Sequence, residues 1–341
     1  MSGEAVLRIS PLGFPWETAD PFLFCVHHLD RFPAGTEHMG PPAAALAGRN
    51  IGSDFTVKEG WRMYHGDKVP GFPEHPHRGF ETVTVVQRGF VDHSDSLGAA
   101  GRYGGGDTQW MTAGVGIEHA EMFPLLNKSG DNTMELFQIW LNLPAANKMV
   151  APHFTMLWRE DIPVITLKDE QGRSTELTIV AGKADGAVPP SPPPASWASD
   201  PANELLIWVG RLEPRAEWSL QAASPGLNRT LYFFEGDSLN IDGQAVAPYH
   251  GVTLRSDREV AVVNGTSTGR VLMLQGKPIG EPVVQHGPFV MNSEAEIRQA
   301  FADYRTGGFG NWPWTTPDPV HPREKGRFAK HADGRIETRE G

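Results

Sequence analysis

Cysteine is almost absent: the 341 residues contain one, Cys25. That excludes an intrachain disulfide and any multi-cysteine zinc or iron–sulfur site. Basic charge is also in deficit. Thirty Lys and Arg stand against 41 Asp and Glu, for a net charge of −11. Nonspecific attraction to nucleic acid is therefore disfavoured, and no basic recognition helix or nucleic-acid motif is present. No run approaches the roughly 20 apolar residues that span a bilayer. The first residues, MSGEAVLRISPLGFPWETADPF, carry an early acid and prolines in place of a charged-then-apolar signal pattern. A soluble, cytoplasmic protein with no membrane and no direct nucleic-acid partner is expected.

What the chain has in excess is Gly (38), Pro (29) and His (13). Frequent turns and short elements follow, which favours an all-β fold. The length suggests two domains at about 150 residues each. Phe80–Gln87, Gly106–Thr112 and Leu136–Leu143 read as strands of a first domain, 1–182. Residues 183–202, KADGAVPPSPPPASWASDPA, read as a proline-rich linker, because proline cannot join a hydrogen-bond ladder. The competing reading is a rigid loop wrapped on one domain. A second domain, 203–310, shows short strands at Leu205–Leu212, Arg229–Phe234, Val252–Leu254, Glu259–Asn264 and Gly269–Gly276. Asn292 or Ser293 then offers an N-cap, and Glu294–Arg305 carries Ile297, Ala300, Phe301 and Tyr304 at helical spacing. The 311–341 extension reads as a solvated tail, unless Trp312 and Trp314 anchor it as a strap.

The informative segment is 71–121. His75 and His77 form an H-x-H pair, and alternate side chains of a strand share a face. Two imidazoles can then converge on one ion at about 2 Å. His119 and Glu121 repeat the spacing as H-x-E. Nitrogen plus hard oxygen, with no sulfur, suits Fe(II), Mn(II), Ni(II), Co(II) or Zn(II). Glu81 is a rival carboxylate, four residues after His77 and so on the same face of a continuous strand. Glu118 and Glu135 are weaker rivals, and spacing does not decide between Glu81 and Glu121. His65 and His93 are candidates for supporting groups; the other eight histidines read as structural or surface residues. Phe80, Trp110, Met111 and Phe123 are candidate pocket walls or plain barrel core.

These strings resemble the pirin family, within the cupin superfamily. The resemblance is carried by HPHRGFETVTVV, GDTQWMTAGVGIEHAEMFP, FQIWLNLP with KMVAP, and EPVVQHGPFVMNSEAEI, in that order over roughly residues 20–310. It implies an all-β bicupin: two β-barrel (jelly-roll) domains, with the C-terminal helix packing back on the N-terminal barrel. It also implies one metal in the N-terminal cupin, held by His75, His77, His119 and Glu121, in preference to Glu81. The C-terminal cupin is implied to lack metal, which agrees with the single histidine, His250, between Asn203 and Gly276. The expected cofactor is one divalent ion, Fe(II) first, with Mn, Ni, Co, Cu or Zn as substitutes.

Pirin relatives include proteins with quercetin 2,3-dioxygenase activity. The resemblance thus implies oxygenolytic ring cleavage of a small aromatic, flavonol-like substrate by dioxygen, with Glu121 as ligand or catalytic base. Similar eukaryotic proteins act as iron-dependent transcription cofactors, so the alternative is a regulatory protein that binds a protein partner.

Overall fold

The computed structural model describes residues 5–340. They form an all-β bicupin with one α-helix, Glu294–Arg305. None of the helices among the described residues is long and apolar enough to cross a membrane. The chain divides into two compact units, each assembled from separated stretches.

The histidine unit comprises residues 27–139, 143–156 and the chain from Glu281 onward. One sheet orders His153–Leu157, Thr108–Thr112, Phe80–Arg88, Asn132–Asn142 and Phe22–Phe32. The other orders Ile336–Arg339, Arg327–Lys330, Ala100–Gly104, Phe90–Asp95, Ile117–Met122 and Gly71–His77. Phe80–Val86 is buried at every position, as expected of a strand covered on both faces.

The helix belongs to this unit, so it packs on the N-terminal barrel as the resemblance implies. Ser293 caps it: its Oγ accepts from the Glu296 N–H at 3.3 Å and donates to the Glu296 carboxylate at 2.9 Å. The capping choice left open in the sequence thus falls on Ser293. Ile297 and Ala300 are buried against Phe289, Met291 and Phe309. On the same helix, Asp303 pairs with Arg78 at 2.7 Å. Arg78 follows His77 directly and is almost fully buried. The helix therefore pins the backbone that carries a candidate ligand.

The extension is not a solvated tail. Arg327–Lys330 pairs with Ala100–Gly104, and Phe328 and Ala329 are buried. Trp314 Nε1 donates to the Asp95 carbonyl at 2.9 Å, and the Pro317 carbonyl accepts from the Glu74 N–H at 2.6 Å. Arg327 forms a fully buried ion pair with Asp107 at 2.7 Å. The strap reading, with Trp314 as an anchor, is the one the structure takes.

The proline unit comprises residues up to Val26, then 140–142 and 157–280. Its seven-stranded sheet orders Val6–Pro11, His250–Arg255, Asn228–Glu235, Gly269–Gly276, Leu206–Leu212, Ser174–Ala181 and Val164–Lys168. A four-stranded sheet of Glu217–Leu220, Val260–Asn264, Leu239–Ile241 and Gln244–Val246 shares its core, which holds Leu177, Phe233, Val252 and Val262. The boundary expected at Gly182 differs from this division. Ser174–Ala181 pairs with Leu206–Leu212 from across it, because its alternating buried side chains complete this core. Residues 183–202 lie inside this unit and are folded onto it. Trp197 Nε1 donates to the Lys277 carbonyl at 2.8 Å, and Asn203 Nδ2 to the Trp197 carbonyl at 2.9 Å.

Candidate metal centre

The strand Gly71–His77 runs antiparallel to Ile117–Met122, with His75 opposite His119. A register shift between Phe72 and His75 separates this pairing from that of Phe72 with Glu121. Gly71 makes the close approach possible. Its φ is +133°, and a Cβ there would collide with the Glu121 carbonyl. Period-two alternation then puts His75 and His77 on one face, and register brings His119 to them. Ring centroids lie 4.8 Å apart for His75–His77, 4.4 Å for His75–His119 and 4.9 Å for His77–His119. One ligand atom from each of the three lies within 4.8 Å of the others, a group able to hold a metal ion.

The environment keeps these rings neutral. Burial pulls the His75 imidazole down to about 4. Burial, reinforced by the neighbouring imidazoles, holds His77 and His119 well below the usual histidine range. Neutral imidazole is the metal-ligating form. Both ring nitrogens of His119 are buried without a hydrogen-bond partner, a costly arrangement in a dry interior. His75 Nδ1 donates to the Pro73 carbonyl at 2.8 Å, which leaves Nε2 with a free lone pair. The His77 ring is hydrogen-bonded by the Pro288 carbonyl. The donor set fits a divalent metal of borderline softness.

Glu121 lies beside this trio, its Oε2 3.8 Å from His119 Nε2. Its carboxylate is held from the facing sheet. Thr84 Oγ1 donates to Oε1 at 3.1 Å and Gln138 Nε2 to Oε2 at 3.0 Å, with Tyr103 as a further partner. Burial raises its pKa, opposed by the His93 charge and by those hydrogen bonds. Glu81 is fully buried and accepts from Thr112 Oγ1 at 2.6 Å. Glu135 is occupied by His27 and Arg88, each at 3.0 Å. Burial and the neighbouring Glu74 raise the Glu118 carboxyl.

His93 sits 5.6 Å from the His119 ring, and its Nε2 contacts Asp95 at 3.1 Å. His65 bonds the Gly52 carbonyl at 2.8 Å and packs edge-on against Phe55. Phe80 packs edge-on against His77 at 5.0 Å, whereas Phe123 packs on Tyr64 and Phe72. Trp110 and Met111 are fully buried. Sequence reasoning missed Phe72, whose ring is 6.3 Å from His75, and the trio Thr84, Gln138 and Tyr103. Thr84 and Gln138 lie within the strings FETVTVV and FQIWLNLP, but what they support is visible only once the sheets face each other.

Two family profiles match the chain: one described as pirin over residues 48–141, the other as pirin C-terminal cupin domain over 207–310. A Pseudomonas aeruginosa protein named "Putative quercetin 2,3-dioxygenase" is 39% identical over 253 residues, covering 71% of this chain and 81% of that protein. Human pirin is 35% identical over 252 residues, covering 72% and 80% respectively. Among solved structures, a quercetin 2,3-dioxygenase from Acinetobacter baumannii matches with a TM-score of 0.69 at 26% identity. That match covers 90% of this chain and 98% of the other.

Proposed function

The chain belongs to the pirin family, and from that premise we propose that it is a metal-dependent dioxygenase that opens the central ring of a flavonol such as quercetin. His75, His77, His119 and Glu121 are the ligands in this reading, and Fe(II) is the first choice of metal. The observation that carries it is the convergence of three neutral imidazoles, His77 and His119 buried and His75 half-buried, with a carboxylate 3.8 Å from one of them. A bound divalent ion supplies Lewis acidity toward the flavonol 3-hydroxyl and an open position beside it.

The protein's own side chains supply the rest. Glu121 is the base for the hydroxyl proton; a base must reach its proton within about 3 Å, directly or through one water. Its raised pKa favours proton uptake. The Thr84 hydroxyl at Oε1 suits both protonation states, since it donates to a carboxylate and accepts from a carboxylic acid. Gln138 and Tyr103 keep the carboxyl from rotating away. Phe72 and Phe80 pack against His75 and His77 and make the surroundings of the centre aromatic, in keeping with a planar aromatic substrate.

The test is aerobic incubation of metal-loaded protein with quercetin, following loss of the flavonol absorption band and release of carbon monoxide. Turnover that needs the metal and is lost in Glu121→Gln is the expected result. No turnover with iron, manganese, nickel, cobalt or copper would remove the quercetinase reading. Retention of a protein partner in only one iron redox state would then favour the regulatory alternative.

A further inference from the structure

The proline unit contains a cavity of about 830 Å³ that the flavonol chemistry does not use. This is within the size range of small-molecule sites. Its walls include Leu177, Trp208, Trp218 and Leu220, all buried. Val188, at the edge, is 64% exposed, and Pro189, Pro190 and Pro192 continue that edge. The segment that reads as a linker is thus one wall of a cavity.

Arg229 lines the same cavity and is only 2% exposed. Its Nε donates to Gln275 Oε1 at 2.6 Å and its Nη1 to the Gln221 carbonyl at 3.0 Å. Both acceptors are neutral. Among the described residues no carboxylate forms an ion pair with Arg229. Glu204 also lines the cavity, but it accepts from the Ser224 N–H, and its field only partly offsets the burial that pulls Arg229 down to about 10. Buried arginines are ordinarily paired, because an uncompensated charge in a dry interior is costly. The cavity therefore holds a buried positive charge that no carboxylate among the described residues pairs directly.

We propose that this cavity is a second ligand site, taking a small amphipathic monocarboxylate. The carboxylate meets the Nη edge of Arg229, where a planar guanidinium matches it. The aromatic or aliphatic body lies against Leu177, Trp208 and Trp218. A neutral apolar ligand leaves Arg229 unpaired, and a cation adds like charge. Besides Arg229, Lys183 is the one basic group lining the cavity, and Asp185, Asp200 and Glu204 leave a slight excess of acid that disfavours ligands carrying several negative charges.

The experiment is calorimetric titration of the metal-loaded, full-length protein with 2-naphthoate and with its neutral analogue 2-naphthalenemethanol. Naphthoate should bind at one site at least tenfold more tightly. Arg229→Met should erase that preference and Arg229→Lys should retain part of it. His119→Ala, which disables the metal centre, should leave it intact. Equal affinity for acid and alcohol in the unmodified protein overturns the proposal, as does a preference that survives Arg229→Met or vanishes in His119→Ala. If Arg229→Met does not fold, crystals soaked in 4-iodobenzoate decide: anomalous iodine density in the cavity supports the site, and density elsewhere or nowhere refutes it.

Discussion

Exchanging one carboxylate oxygen for an amide separates the two glutamates. Glu121→Gln keeps the shape and removes the charge. The amide oxygen can still accept from Gln138 Nε2, and its NH2 can donate to Thr84 Oγ1, which accepts as well as donates. In the proposed ligation, what is lost is one anionic metal ligand. Changes to the partners of metal ligands alone cost about 10- to 100-fold in affinity, so loss of the carboxylate should cost about 100-fold. At a free metal concentration 100 times Kd, binding stabilises the native protein by about 2.7 kcal/mol; a 100-fold weaker site at the same concentration gives about 0.4 kcal/mol. Thermal unfolding with and without metal reads this as a rise in Tm that nearly disappears. Glu81→Gln should leave the rise intact, because a glutamine oxygen accepts from Thr112 as the carboxylate does. If Glu81→Gln abolishes the rise and Glu121→Gln keeps it, the carboxylate has been misassigned and the reasoning from register fails.

Other outcomes follow from the supports around the centre. Asp303→Asn weakens a charged hydrogen bond to buried Arg78 and should cost about 1.5–3 kcal/mol in urea unfolding. It should also lower metal affinity through His77; unchanged affinity would deny the helix any role in holding the ligand. Lys148 donates to the Gly79 and Val290 carbonyls at 2.8 and 3.2 Å, and burial pulls its amine from 10.5 to about 8. The unfolded chain then binds more protons between those values, so Lys148 makes stability increase as pH rises from about 8 to 10.5, by up to about 3 kcal/mol. Comparing Lys148→Met with the parent at pH 7.5 and 10 should show that increment missing from the variant. Deleting residues 319–341 removes Arg327 from buried Asp107 and should destabilise the histidine unit by more than about 3 kcal/mol. A deletion with unchanged Tm would mean that the strap adds nothing.

Much of the centre is legible in two short strings, because a strand repeats every two residues. H-x-H and H-x-E each place two candidate ligands on one face without any knowledge of the fold. The choice between Glu81 and Glu121 is not legible that way. It depends on which strand lies beside Ile117–Met122 and on Thr84 and Gln138 reaching across from another sheet. The helix Glu294–Arg305 is legible to its termini, since capping and spacing are local. Pairing of Val6–Pro11 with His250–Arg255 leaves no local signal, so the division of the chain is hidden. The prolines are read correctly as residues barred from a ladder, but that property fits a cavity wall as well as a linker. The strap is obscured by its charged composition: Arg327 looks solvated until buried Asp107 is found paired with it, and a second buried aspartate, Asp92, accepts the His321 backbone N–H at 2.7 Å.

The interleaving of the two units has a consequence for how the protein is made. A ribosome delivers residues 27–156 with all three histidines well before it delivers Pro288, Asp303 and the strap, which belong to the same unit. The proline unit is in the same position, since Val6–Pro11 emerges first and its partner strand some 240 residues later. Neither unit can close on its own schedule during synthesis, and both depend on closing long loops. The three candidate ligand histidines therefore leave the ribosome before the segments that complete their unit.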